Sequence, residues 1–250
     1  KKQVKTDGWG SVVTGLNAAS RDKRSTVTFS ADVVTDIEAR ELWRGDDLCA
    51  RAVETYPDEM LRAGYDVSIQ AEEDGADQAR EDAEAVEEEL KRLKVDEVFR
   101  TALCYERAYG GAAIFPVIND LNGDLSKPLN LEAVTEVKRL VAFEPLELQP
   151  VTYYNDPLDD GYGDPETYRL VPLGVNGAAP SSTGKLIHES RLIVFPGRVV
   201  TRAPVSGVRA GWGDSVLSLV RETIRDFNAG FVSMAHLLQD FSQAVFTLRG

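Results

Sequence analysis

The chain has 250 residues, 43% of them hydrophobic, with 28 basic side chains against 41 acidic ones, two cysteines and two histidines. An ordinary apolar fraction excludes wholesale disorder, no run reaches the roughly 18 apolar residues of a membrane span, and two cysteines build neither a disulfide scaffold nor a cysteine-rich zinc site. The net charge of −13 argues against tight general binding to nucleic acid, which depends on Lys and Arg neutralising phosphates.

That charge is unevenly placed. Residues 1–30 hold six bases and two acids, are rich in Gly, Ser and Thr, and read as an arm; the lone Trp9 in Asp7-Gly8-Trp9-Gly10 suits docking on a neighbour. From 31 to 63 the pattern is helical, with Asp46 as a cap, Pro57 ending one helix and starting the next, and Gly64 as the stop. Tyr65, Val67 and Ile69 alternate with polar residues and predict a strand. Residues 72–100 carry twelve acids and five bases, yet Ala79, Ala83, Val86, Leu90 and Leu93 draw an apolar stripe on an acidic, solvated helix. Residues 95–109 continue as helix, Gly110-Gly111 breaks it, and Ala112–Ile118 reads as a buried strand.

Asn119–Asp124 is a plain turn, because its order of oxygens does not fit the calcium loop. Further strands are expected at Leu140–Phe143, Leu146–Val151, Tyr168–Leu173 and Leu192–Phe195. Between them, Asp156, Asp159, Asp160, Asp164 and Glu166 form an acidic loop whose spacing matches no metal site. The clearest element comes last. After a cap in Gly213-Asp214-Ser215, the residues Leu217, Val220, Ile224, Phe227, Phe231, Met234, Leu238 and Phe241 recur at alternating spacings of 3 and 4. A helix over Asp214–Phe241 would be about 42 Å long. Such a helix suits packing against copies of itself, or the core of an α+β domain. The missing initiator Met and the strand-like end at 246–250 predict a piece of a longer polypeptide, and no basic-then-apolar leader is visible.

No catalytic constellation emerges. Gly177–Leu186 resembles a phosphate loop but has six residues between its glycines and Leu where Ser or Thr is required. Two histidines 48 residues apart supply little for zinc hydrolysis. Cys49 and Cys104 sit among apolar neighbours as packing thiols; His188 suits holding a turn, and His236 a helix surface. The expectation is a chain that is not an enzyme, with no cofactor and no metal.

Five segments occur together in an order that resembles tailed-bacteriophage portal proteins: Ala39-Arg40-Glu41-Leu42-Trp43-Arg44-Gly45, Tyr109-Gly110-Gly111-Ala112-Ala113-Ile114, Tyr168-Arg169-Leu170, Ile187-His188-Glu189-Ser190-Arg191-Leu192 and Gly211-Trp212-Gly213-Asp214-Ser215-Val216-Leu217. The resemblance runs from about Asp7 to Gly250, closest to a subgroup long filed as a phage protein of unknown function. It implies an α+β fold with an arm at 1–30, a wing-like region at 31–144, a strand-rich clip at 145–197 and a stem-type helix within 198–250. It further implies a homo-oligomeric ring, typically a dodecamer, at one capsid vertex, assembled in the host cytoplasm and carried in the virion. Partners would be the major capsid protein, the terminase, head–tail adaptors and double-stranded DNA in transit, with no membrane. The stripe from Leu217 to Phe241 would be the packing face, and Arg221 and Arg225, one turn apart, could touch DNA in the channel or pair with Glu222 or Asp226. Some relatives carry a name tied to a phosphodiesterase that destroys cyclic-nucleotide defence signals. That enzyme class needs two His-x-Thr/Ser motifs; His188-Glu189-Ser190 is one, and His236-Leu237-Leu238 is not a second. A non-ring virion adaptor or scaffold is the third alternative.

Overall fold

The computed structural model describes residues 33–69, 76–119, 123–158, 161–171, 184–198 and 211–241. The expected arm, most of the 177–186 loop and the strand-like end at 246–250 lie outside them. Residues from Val34 onward form one unit.

Among the described residues four helices come first: α1 (Asp36–Gly45), α2 (Asp47–Leu61), α3 (Ala76–Arg92) and α4 (Val95–Tyr109). Thr35 caps α1, and Asp46 caps α2 by accepting from the backbone N–H groups of Leu48 and Cys49 at 2.9 Å. Pro57 does not end a helix. It lies inside α2 with its ring fully buried, so one missing backbone hydrogen bond is tolerated. Residues 64–69 form no strand either. Tyr65 and Ile69 stay 43% exposed, and an alternating pattern without a neighbouring sheet has nothing to pair with. The stripe of α3 rests lightly on the body, with Ala79 buried and Val86 exposed.

Among the described residues six strands build two antiparallel three-stranded sheets. β1 (Ala112–Asn119) lies between β2 (Glu136–Phe143) and β6 (Ile193–Phe195); β4 (Pro165–Leu170) lies between β3 (Leu148–Tyr153) and β5 (Lys185–His188). β5 has no counterpart among the expected strands, because only four residues precede the turn at Glu189–Arg191. Alternation along β1 explains the layering, since successive side chains face opposite ways. Ala112 and Ile114 face α4, packing with Val98, Phe99 and Phe195. Ala113 and Phe115 face the second sheet, where Leu148, Tyr168 and Ile187 are buried. The first sheet is thus covered on both faces, and each fully buried Leu or Ile there contributes about 1.5–3 kcal/mol.

The last helix, α5 (Leu217–Phe241), has 25 residues. Its start closes the helical core, where Leu217 is buried with Val34, Val53, Cys104 and Tyr109, and Val220 and Ile224 pack against them. The fold is therefore α+β, as the resemblance implies.

Candidate functional site

Two places carry the features a functional site needs: the root and open face of α5, and a cleft beside it.

The root is a backbone junction. Gly213 N–H lies 2.8 Å from both the Gly110 and the Pro196 carbonyl oxygens, and Asp214 N–H donates to Arg198 O at 2.9 Å. Gly110 ends α4 with φ +80°, and a Cβ there would run into the Gly213 carbonyl. Ser215 donates to Ala108 O at 2.6 Å and accepts from Leu217 N–H at 3.1 Å, which caps α5. Trp212 lies on Gly111, donates to Leu148 O of β3 at 3.1 Å, and packs on Tyr168 of β4. The distant motifs 109–114, 168–170 and 211–217 therefore meet at one corner.

Beyond the root α5 changes character. From Arg225 to Phe241 every described side chain is exposed. Phe227, Phe231, Met234, Leu238 and Phe241 are 58, 63, 55, 66 and 86% exposed, and Phe227 stacks on Phe231. An apolar face of this extent is uncovered in the single chain, which is the mark of an interaction surface. Asn228 donates to Asp46 Oδ2 at 2.6 Å, tying the helix to the α1–α2 corner.

Of the two basic candidates, Arg221 is 16% exposed at its side chain and donates to Glu38 at 3.0 Å. Arg225 is well exposed and pairs with Glu222 at 2.7 Å. His188 ends β5 and caps the following turn, its Nδ1 accepting from Ser190 N–H at 3.1 Å with Ser190 Oγ 3.0 Å away. His236 lies on the exposed part of α5. Cys49 and Cys104 are buried; burial pushes the Cys49 thiol up to about 11, helped by the Asp46 charge, and burial raises Cys104 too. Thiols so placed are poor nucleophiles.

The cleft was not legible as a motif. It has a volume of about 660 Å³ and is open to solvent between α1, α2, α4 and the β2–β3 turn. Trp43, Tyr105 and Tyr109 form its aromatic wall, with ring centroids 5.8–6.3 Å apart and planes tilted by 49–83°. Arg40 donates to both oxygens of buried Glu144, at 2.8 and 3.2 Å, and its guanidinium lies 6.0 Å from the Tyr109 ring centroid. Trp43 Nε1 donates to Glu54 at 2.9 Å. Glu147, half-buried, accepts from Glu144 N–H at 3.3 Å, and burial pushes its carboxyl above the usual range. The cleft's lining comes from four separate stretches of the chain: Arg40, Trp43 and Arg44; Glu54; Tyr105 and Tyr109; and Glu144 and Glu147.

Among the described residues no three His, Cys, Asp or Glu side chains converge to hold a metal, and no helix is long and apolar enough to cross a membrane.

The structure is that of an α+β protein whose last helix is rooted in the body and bears an uncovered apolar face. The chain belongs to the phage portal protein family, whose sequence profile matches residues 37–250. A relative from Sphingomonas paeninsulae, named Anti-CBASS protein Acb1, is 26% identical over 247 residues, covering 98% of this chain and 36% of that protein. A second of the same name, from Caulobacter sp. (strain RHG1), is 28% identical over 233 residues, covering 91% and 34%. This chain thus spans about a third of the length of the curated relatives it matches. Their name corrects the expectation of a chain that is not an enzyme, since it is the name tied above to a phosphodiesterase. The sequence misled because enzyme partners meet only in a fold, and the chain covers only part of each relative.

Proposed function

We propose that this chain is part of a portal subunit that forms a ring, typically dodecameric, at one capsid vertex, through which double-stranded DNA is packaged and ejected. The uncovered apolar face of α5 carries the reading, because a second copy is the partner that a closed ring supplies to every subunit. The four N-terminal helices and the β1 sheet serve as the wing, the β3–β4–β5 sheet as the clip, and α5 as a stem-type helix. Docking partners are the major capsid protein, the terminase motor and head–tail adaptors; the place of action is the virion, after assembly in the host cytoplasm. Arg225, the more exposed of the two bases, is the better placed to meet the DNA backbone in passing. Acid concentrated on α3 and on the 156–166 loop keeps the grip on DNA weak, as a conduit requires. Native mass spectrometry and electron micrographs of the full-length protein test this: rings are expected, and a strict monomer at high concentration overturns it in favour of an adaptor or scaffold.

The name of the two relatives favours a second reading, a phosphodiesterase that counters host defence by cleaving cyclic oligonucleotides. In this segment His188 is the motif-bearing histidine, and its Nδ1 is engaged by Ser190. Incubating the full-length protein and its His188→Ala variant with cyclic oligonucleotides separates the cases. Turnover lost in the variant puts the chemistry on His188; turnover that survives puts it elsewhere in the polypeptide.

A further inference from the structure

We infer that α3 and α4 form a bistable pair, bent at Lys94 in this structure and straightening into one continuous helix when Arg92 lets go of the edge strand β2. Neither function above uses this bend, and the inference rests on neither.

Three observations carry it. First, the bend has no local cause. Among the described residues Lys94 is the one residue other than glycine with a positive φ, at φ 53° and ψ 46°. Sharp breaks in helices usually lie at proline, glycine or serine, or a π-bulge, and the run Glu88-Glu89-Leu90-Lys91-Arg92-Leu93-Lys94-Val95-Asp96-Glu97 holds none of those residues. Lysine favours the right-handed helix and is strained in the left-handed region, so its surroundings must hold it there. Second, the body grips α3 at its last residue. Arg92, steadied by Glu89, donates to Val137 O at 2.5 Å and to Lys138 O at 3.4 Å. These are the hydrogen bonds that α3 makes to the body among the described residues. The two carbonyls belong to a bulge in the edge strand β2, because Val117 and Ile118 of β1 pair with Arg139 and Val137 and skip Lys138. Otherwise α3 is held lightly. It adds no side chain to the buried clusters, and its pairs Arg80–Glu84 and Glu87–Lys91 are internal. Third, straightening satisfies backbone groups. α4 starts without a side-chain cap, and Val98 N–H to Lys94 O is its first helical bond, so the N–H groups of Val95, Asp96 and Glu97 have no helical partner. With Lys94 right-handed they would bond to the carbonyls of Lys91, Arg92 and Leu93. One helix would then run over residues 76–109, about 51 Å long. The acidic α3 would leave β2, and the bulge would be bared.

The test is amide hydrogen exchange of the full-length protein, resolved to single residues by mass spectrometry. Arg92→Gln should slow exchange at Val95, Asp96 and Glu97 by about tenfold or more, because straightening gives those amides helical partners. General damage speeds exchange, so the sign separates a change of state from a loss of fold. Glycine holds the left-handed conformation without strain, and Arg92→Gln combined with Lys94→Gly should return the three amides to the wild-type rate. Lys94→Ile keeps the Arg92 grip but sets a β-branched side chain where φ is positive, and should slow the same amides. That variant decides the question in the same way should Arg92→Gln fail to fold. Unchanged or faster exchange at the three amides in Arg92→Gln overturns the inference, as does slowing that persists in the combined variant.

Discussion

The first two turns of α5 and the rest of that helix share one apolar stripe but not one environment. Leu217, Val220 and Ile224 close a core shared with α1, α2 and α4, whereas Phe227, Phe231, Met234, Leu238 and Phe241 stay in solvent. The repeat of 3 and 4 does not change at the border. A periodic stripe therefore reports that a face needs covering and says nothing about what covers it. What distinguishes the halves is the root: backbone bonds and a buried hydroxyl fix the first turns, and the helix then extends past the elements that could bury it.

Substitutions should pull the two halves apart. Leu217→Ala, in the buried half, should cost about 3 kcal/mol, read by chemical denaturation of the chain. Ser215→Ala removes a cap and leaves the Ala108 carbonyl without that bond, and should cost about 1–2 kcal/mol by the same measurement. At the border stands Asp46. Its carboxyl is held below the usual carboxylate range, first by the Cys49 backbone N–H and then by Asn228. A depressed folded-state value gives stability that is present above the unfolded value of about 3.9 and is lost as pH falls through the folded one. Thermal melts should therefore show stability falling below about pH 4, with that component reduced in Asp46→Asn. The smallest effect on the single chain belongs to the open half: Phe231→Ser should change folding stability by no more than about 0.5 kcal/mol. The same change should remove assembly, measured by sedimentation velocity, while Leu217→Ala leaves assembly of the folded fraction intact. If Phe231→Ser destabilises as strongly as Leu217→Ala, the difference between the halves fails.

The sequence made the long helix, the Asp46 cap and the strands β1 to β4 and β6 readable, because each rests on local periodicity or a local hydrogen bond. What stayed hidden depends on distance. Tyr65, Val67 and Ile69 have strand chemistry without a partner strand, and β5 is too short to show a period. Pro57 reads as a stop only while its burial is unknown. The cleft joins residues about a hundred positions apart, such as Arg40 and Glu144, and no spacing rule connects those. His188 fared better: a polar side chain two residues before a serine amide is enough to suggest a turn cap, and it is one.

The corner that roots α5 also sets how force would pass through the molecule. Residues 212 to 214 touch, in succession, the second sheet at Leu148, the end of α4 at Gly110, and the strand exit at Arg198. No slack linker lies between those anchors and the first turn of the helix. A sideways push on the distal end of α5 would act as on a lever with its fulcrum at Gly213, and tilt both sheets rather than bend a hinge. Close-packed interiors transmit such strain with little loss. Motion imposed on the helix by a neighbour would thus be felt at the β3–β5 sheet.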